Sequence, residues 1–261
     1  MKKVGIIGAG KIGGSLLLRL AESGGFDLGV SDIHPEQLRL FEDVGVRTTS
    51  SNRELAEWSD LVIVAVKPWD VAEVMQEMSP AFDGTDKAVA SVAAGVTITS
   101  IVEKLPEGTA VLRVMPNVCA SVGLGSAVVT ANEAGRDTLP VVMDIFRHVG
   151  DVLELPERLF DAATALHGSG PAYVALFADA LVQAGVREGI PRDVARRLVV
   201  GTIGGTAVLL KERSAHQVRD EVMTPGGTTA AAFVAMEKAG FVAAVYDGIE
   251  AATERARSLG G

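Results

Sequence analysis

A chain of 261 residues, 48% hydrophobic and 22% charged, is long enough for one or two globular domains with real cores, and that apolar content argues against disorder. A formal charge of −9 argues against general affinity for nucleic acid or anionic lipid, since either polyanion would meet an acidic surface. The single cysteine, Cys119, excludes an intrachain disulfide framework, and His34, His148, His167 and His216 stand at no metal-ligand spacing, so a reducing cytosol and no metal are expected.

The opening residues MKKVGIIGAG imitate a secretion signal, but Lys11 and Arg19 interrupt the apolar stretch. No run approaches the ~18 residues of a membrane span, which leaves a soluble cytoplasmic protein as the reading. Short apolar runs at 4–7, 28–30, 61–66, 88–92 and 111–114 predict strands, and amphipathic stretches at 12–23, 35–44 and 71–78 predict helices between them. This βαβ rhythm belongs to a parallel sheet covered on both faces. Strands at 127–130 and 152–155, with a helix at 133–148, extend it.

Beyond about Pro156 the β-branched runs stop. Tyr173, Phe177, Ala180, Leu181 and Ala184 repeat at helical spacing, residues 192–210 and 241–259 read as further helices, and Gly185, Gly189 and Pro191 mark a helix end and a new start. The fold class is therefore α/β, with a dinucleotide-binding sheet domain at 1–155 and an all-α domain at 156–261. The small apolar residues of the second part can bury themselves against a second copy of the chain or within one subunit.

Gly8-Ala9-Gly10-Lys11-Ile12-Gly13 follows the first strand and opens the first helix, the context in which GxGxxG signals a dinucleotide site. Gly8 permits the tight turn, Gly10 lets the backbone approach a pyrophosphate, and Gly13 lets helix and strand pack closely. The helix N-terminus supplies the anion site. Asp32 stands 19 residues after Gly13 at the end of the second strand, where a carboxylate accepts hydrogen bonds from the adenosine ribose and repels a 2′-phosphate; it can also cap the following helix. The residues that follow are Ile33, His34 and Pro35, with no Arg or Lys among them, so NADH is favoured over NADPH.

Three more segments stand beyond predicted strand ends: Ala65-Val66-Lys67-Pro68, Ala93-Ala94-Gly95 and RVMPN at 113–117. Together with HGSGPAY at 167–173 and TPGGTT at 224–229, they make the chain resemble the pyrroline-5-carboxylate reductase family, which reduces a cyclic imine to proline, over nearly its whole length. The resemblance implies a Rossmann domain, a helical dimerisation domain, NAD(P)H as hydride donor, and homodimers that assemble further into rings. It also implies that the PGGTT turn holds the imino acid, that Lys67 and Pro68 lie along the nicotinamide half of the cofactor, and that Asn52 contacts its adenosine end.

In physical terms, Thr224 suits an N-cap, Pro225 the first helical position, and Gly226 and Gly227 leave the next amides uncovered. A substrate carboxylate can rest on those amides, helped by about half a positive charge from the helix dipole. Thr224 and Thr228 are assigned to the carboxylate. Thr229 is assigned to orient or relay the proton that the ring nitrogen needs. Lys67 offers its charge to cofactor or substrate, Asn117 positions the nicotinamide loop, and Arg113 reads as one half of a structural ion pair. His167 stands where the resembling family has a serine or threonine. It is a hydrogen-bonded buried histidine or a pH-sensitive group near the substrate. Together with Val118 and Cys119 this departure leaves another cyclic imino acid open as substrate, and a nucleotide-sensing dimer is the non-catalytic alternative.

Overall fold

The computed structural model describes residues 2–259. The chain forms two compact units: one runs from the N-terminus to Ser169 and is joined by residues from Ala252 onward, and the other is Gly170–Ala251. The sequence places the change from strands to helices at 155/156, and helix does begin there, but the compact units divide later, at Ser169.

The first unit holds one eight-stranded sheet: β1 (Lys2–Ile7), β2 (Phe26–Ser31), β3 (Arg47–Thr49), β4 (Leu61–Val64), β5 (Ala88–Ser91), β6 (Ala110–Pro116), β7 (Gly125–Ala131) and β8 (Gly150–Glu154), in spatial order β3-β2-β1-β4-β5-β6-β7-β8. Its helices are α1 (Lys11–Ser23), α2 (Pro35–Glu42), α3 (Asn52–Trp58), α4 (Val71–Met78), α5 (Ile98–Val102), α6 (Leu139–Arg147) and α7 (Phe160–Ala163). Successive strand residues serve opposite faces. Leu61 and Ile63 join Leu16, Leu20 and Phe41 in one apolar core, while Val62 and Val64 join Leu55, Met75 and Met78 in the other. Burial on both faces is why the central strands read as continuous apolar runs.

Four expectations are corrected. The sheet is parallel from β1 to β6 but β7 runs antiparallel to β6, with Leu112 opposite Ala131 and Met115 opposite Val128. The connecting residues 117–124 are too few for a parallel crossover, which needs about a dozen or more. The helix expected from 133 starts at Leu139, because Asn132 ties its own turn: its Oδ1 accepts from the amides of Val111 (3.0 Å) and Gly135 (2.8 Å), and its Nδ2 donates to the Thr109 carbonyl (2.9 Å). The strand expected to reach 66 ends at Val64, before the 3₁₀ turn Pro68–Asp70. Strand β3 and helices α3 and α5 lie in segments where the sequence pattern predicts no element.

Helix α3 opens on a cap: the Ser51 hydroxyl accepts from the Glu54 amide at 3.1 Å. Hydrogen bonds from Arg47 and Thr49 hold the Glu54 carboxyl below the usual carboxylate range.

The second unit is helical throughout: α8 (Gly170–Arg187), α9 (Arg192–Leu209), α10 (Ala215–Val222), α11 (Thr228–Lys238) and the start of α12 (Phe241–Leu259). Gly189, at φ +94°, ends α8. Gly185 lies inside α8 and not at its end: a Cβ there would stand 3.3 Å from the Ala195 Cβ, so this glycine sets how closely α8 and α9 pack. Among the described apolar residues of Gly170–Ala251 only Val182 and Ala195 are buried, while Leu176 is 72% and Tyr246 71% exposed. Among the described residues no single helix is long and apolar enough to cross a membrane; α11 and α12 meet that length and composition only as a pair bent by 52°.

Gly13 carries a tight requirement at the start of α1. A Cβ there would lie 2.0 Å from the Gly8 carbonyl oxygen and 3.1 Å from the Ala65 Cβ. Since backbone must move to admit it, Gly13→Ala is expected to cost about 1–3 kcal/mol, as overpacked sites do. Urea unfolding of the two proteins measures this, with nucleotide affinity falling in parallel.

Candidate active site

Because β1 to β6 are parallel, their C-terminal ends share one edge of the sheet, and the predicted nucleotide residues of the first unit collect along it. The order reverses between β1 and β4, the crossover where a doubly wound sheet opens a crevice. Gly8 leaves β1 at φ +98°, its amide donates to the Ser31 carbonyl at 2.8 Å, and a Cβ on it would sit 2.7 Å from the Ala65 carbonyl oxygen. Ala9 is buried behind the turn, and Lys11 and Ile12 begin α1.

Gly10 is the N-cap of α1, no side chain caps that helix, and a Cβ on Gly10 would meet no atom within 4 Å. The opening amides of α1 therefore face an approach that neither side chain nor cap obstructs. That cradle fits a pyrophosphate.

Asp32 is fixed by the same turn: its Oδ2 accepts from the Ala9 amide at 2.7 Å and its Oδ1 from the His34 amide at 2.8 Å. A carboxylate offers about four acceptor sites, so both bonds leave capacity for ribose hydroxyls. Asn52 is nearly buried, at 9% exposure. Its Oδ1 accepts from the Ser31 hydroxyl (2.7 Å) and its Nδ2 donates to Glu77 (2.7 Å), so it anchors the end of β2 beside Asp32.

Beyond β4, Ala65 lies against Gly8, Val66 is half-buried, and Lys67 is exposed before the turn begun by Pro68; among the described residues Lys67 forms no ion pair. Beyond β5, Ala93 is buried, Ala94 half-buried, and Gly95 turns at φ +76°.

Arg113 does form the expected structural ion pair. Only 4% exposed, it donates through Nη1 to Glu157 Oε1 at 3.0 Å and lies over the Phe160 ring at 4.8 Å. The same Glu157 oxygen accepts from the Ile98 amide at 2.8 Å, which ties the loop after β5 to β6. At the end of β6, Asn117 Oδ1 accepts from the amides of Cys119 (3.2 Å) and Ser126 (3.3 Å), and Nδ2 donates to the His167 carbonyl at 3.1 Å. His167 sits in a π-helical turn, Thr164–Gly168, that the sequence reading missed.

The segment 224–229 belongs to the second unit, and here the reading is corrected. Thr224 is not an N-cap and Pro225 is not the first helical residue: α11 starts at Thr228 with Gly227 as its cap. Thr224, Pro225, Gly226 and Gly227 form a β-turn closed by the Gly227 amide on the Thr224 carbonyl at 3.0 Å, with Gly226 at φ +69°. A Cβ on Gly227 would stand 2.3 Å from the Thr224 hydroxyl oxygen. The glycines are thus demanded by the turn, and they spare the helix interior. No side chain caps α11, so its opening amides, at Thr228, Thr229 and Ala230, remain available as donors. Among the described residues no three His, Cys, Asp or Glu side chains are grouped to hold a metal ion.

Comparison with known proteins covers residues of both units. Residues 157–259 match the family model for pyrroline-5-carboxylate reductase dimerisation, and residues 3–95 match that for NADP oxidoreductase coenzyme F420-dependent. A pyrroline-5-carboxylate reductase of Synechocystis is 37% identical over 99% of this chain and 98% of its own, and one of Mycobacterium leprae is 39% identical over 99% and 97%. Among solved structures, the Coxiella burnetii enzyme superposes with a TM-score of 0.95 at 32% identity, covering 100% of this chain and 99% of its own. The Plasmodium falciparum enzyme, solved with NADP bound, gives 0.87 at 31% identity, covering 100% and 98%. The matched helical region also accounts for the exposed apolar surface as that of a homodimer. With relatives above 30% identity spanning almost every residue, the chain belongs to the pyrroline-5-carboxylate reductase family.

Proposed function

We propose that the protein reduces 1-pyrroline-5-carboxylate to L-proline with a reduced nicotinamide dinucleotide. The observation that carries the reading is full-length membership of the family, with a dinucleotide cradle in the first unit and an uncapped helix opening in the second.

The reaction adds hydride to the imine carbon and a proton to its nitrogen. The nicotinamide, when bound in its reduced form, supplies the hydride. Gly8, Ala9, Gly10, Lys11, Ile12 and Gly13 hold the pyrophosphate through the start of α1, Asp32 takes the ribose, and Asn52 serves the adenosine end. Ala65, Val66, Lys67, Pro68, Ala93, Ala94, Gly95 and Asn117 border the nicotinamide half.

In the second unit, Thr224, Pro225, Gly226, Gly227, Thr228 and Thr229 hold the imino acid. The amides opening α11 bind its carboxylate, a short anion in the field of a helix N-terminus. The Thr229 hydroxyl orients the proton delivered to the ring nitrogen, so that no amide anion has to form. Lys67, which forms no ion pair among the described residues, offers its charge to the cofactor or to the substrate carboxylate. Homodimers assemble further into rings, and the unpaired Cys119 suits a reducing cytoplasm.

Nucleotide preference follows from Asp32. Its carboxylate is held in place by two amides, and residues 33–36 carry no Arg or Lys, so a 2′-phosphate would meet a fixed negative charge.

Purified protein is expected to oxidise NADH when the imine is added, and a panel of cyclic imines fixes the substrate, since His167, Val118 and Cys119 depart from the family pattern. No turnover with either nucleotide on any imine would refute the assignment. Thr229→Ala should lower kcat by about a hundredfold or more, the scale of a general-acid contribution. Side-by-side kinetics should give a higher kcat/KM with NADH than with NADPH; the reverse order would remove Asp32 as the determinant.

A further inference from the structure

Both ring nitrogens of His167 face backbone carbonyls: Nδ1 is 2.5 Å from the Ala163 oxygen and Nε2 is 2.8 Å from the Met115 oxygen. A carbonyl only accepts, so each contact needs a ring N–H. A neutral imidazole has one, and the imidazolium has two. The neutral ring therefore sets a lone pair against a carbonyl across hydrogen-bonding distance.

The two carbonyls belong to different elements. Ala163 ends α7, one turn before His167, and Met115 lies near the end of β6. The main chain of His167 closes the same junction from the other side, its carbonyl accepting from Asn117 Nδ2 at 3.1 Å. Gly168 adds a packing limit, since a Cβ there would lie 3.1 Å from the Met115 Cε. The π turn that carries these contacts is of a rare kind that is frequent at functional sites.

The charged residues on the neighbouring elements are Arg113 of β6, engaged with Glu157, and Arg158 and Asp161 around the start of α7. Among the described residues His167 forms no ion pair, so carbonyl dipoles are what its ring nitrogens meet.

We propose that His167 is a positioning residue: in its imidazolium form it clamps the 115–117 end of β6 to the π turn and so fixes Asn117, and the clamp loses one bond when the ring is neutral. The consequence is a nucleotide site that loosens when the ring gives up its second proton. The inference rests on the proposed place of Asn117 beside the nicotinamide half.

Nitrogen-15 NMR of the histidine-labelled wild-type protein tests the clamp directly, with His167 assigned by its loss in His167→Gln. Two solvent-protected ring N–H protons are expected at the acidic end of the range in which the protein stays folded, and one at the alkaline end. Freely exchanging ring protons at the acidic end would overturn the proposal.

Nucleotide binding without imine tests the consequence. His167→Phe removes both donors and should weaken nucleotide binding by about tenfold at the acidic end, the scale of one net hydrogen bond, while the KM for the imine changes by less than about twofold. His167→Gln should recover part of the affinity and lose the pH step. Affinity and pH profile shared by wild type and His167→Phe would overturn the positioning role. A wild type that shows the pH step in binding yet reduces no imine would sustain the clamp and sink the assigned reaction, so the two failures are distinguishable.

Discussion

The close approach of α1 to the ends of β1 and β4 is the constraint on which the nucleotide side depends. At Gly13 the separation leaves no room for one methyl group, because the Gly8 carbonyl oxygen already occupies that position. This closeness sets the opening amides of α1 at the crossover of the sheet. It also requires Gly8 to turn at positive φ, which brings the Ala9 amide to within 2.7 Å of Asp32. One contact thus places the uncapped opening of α1 and orients a carboxylate just beyond the adjoining strand. The proposed hold on the pyrophosphate and the proposed bias between nucleotides would share that geometric origin.

The second unit is governed by a different constraint. Its helices bury only Val182 and Ala195 among the described apolar residues, and side chains such as Leu176, Val200 and Tyr246 lie open. Apolar surface left in water forgoes about 25 cal/mol per Å², so a helical array of this kind gains its stability from what covers it. The match of residues 157–259 to a dimerisation family identifies that cover as a second copy.

The parts of the fold legible in the sequence are those whose burial is extreme. Strands β1, β4 and β5 bury both faces and appear as apolar runs, and GxGxxG stands out because close packing forbids any other residue at Gly13. Elements governed by short-range polar bonds are harder to see. Helix α3 carries the spacing Ser51-x-x-Glu54 that marks a capped start, yet its apolar face is too short to show a period. The direction of β7 is not written in its composition at all, because an apolar run reads the same either way; the shortness of 117–124 was the available signal. Likewise Pro225-Gly226 satisfies both a helix start and a turn with Gly at its third position. Only the positive φ of Gly226 separates them, and it moves the helix opening to Thr228 while keeping its amides bare.

The two ends of the sheet edge are held by different physics. Around β1 and β4 the backbone is locked by steric closeness among Gly8, Gly13 and Ala65, which no change of protonation alters. Around β6 the corresponding work falls to side chains: Arg113 and the Ile98 amide on Glu157, and Asn117 and the Met115 carbonyl on His167. Such bonds are directional and involve ionisable groups, so they permit small adjustments of position that packed glycines do not. The end proposed for the pyrophosphate is thus set chiefly by packing, with Asp32 tied to the same turn. The end proposed for the nicotinamide, where hydride transfer depends on close placement, is held by directional bonds instead.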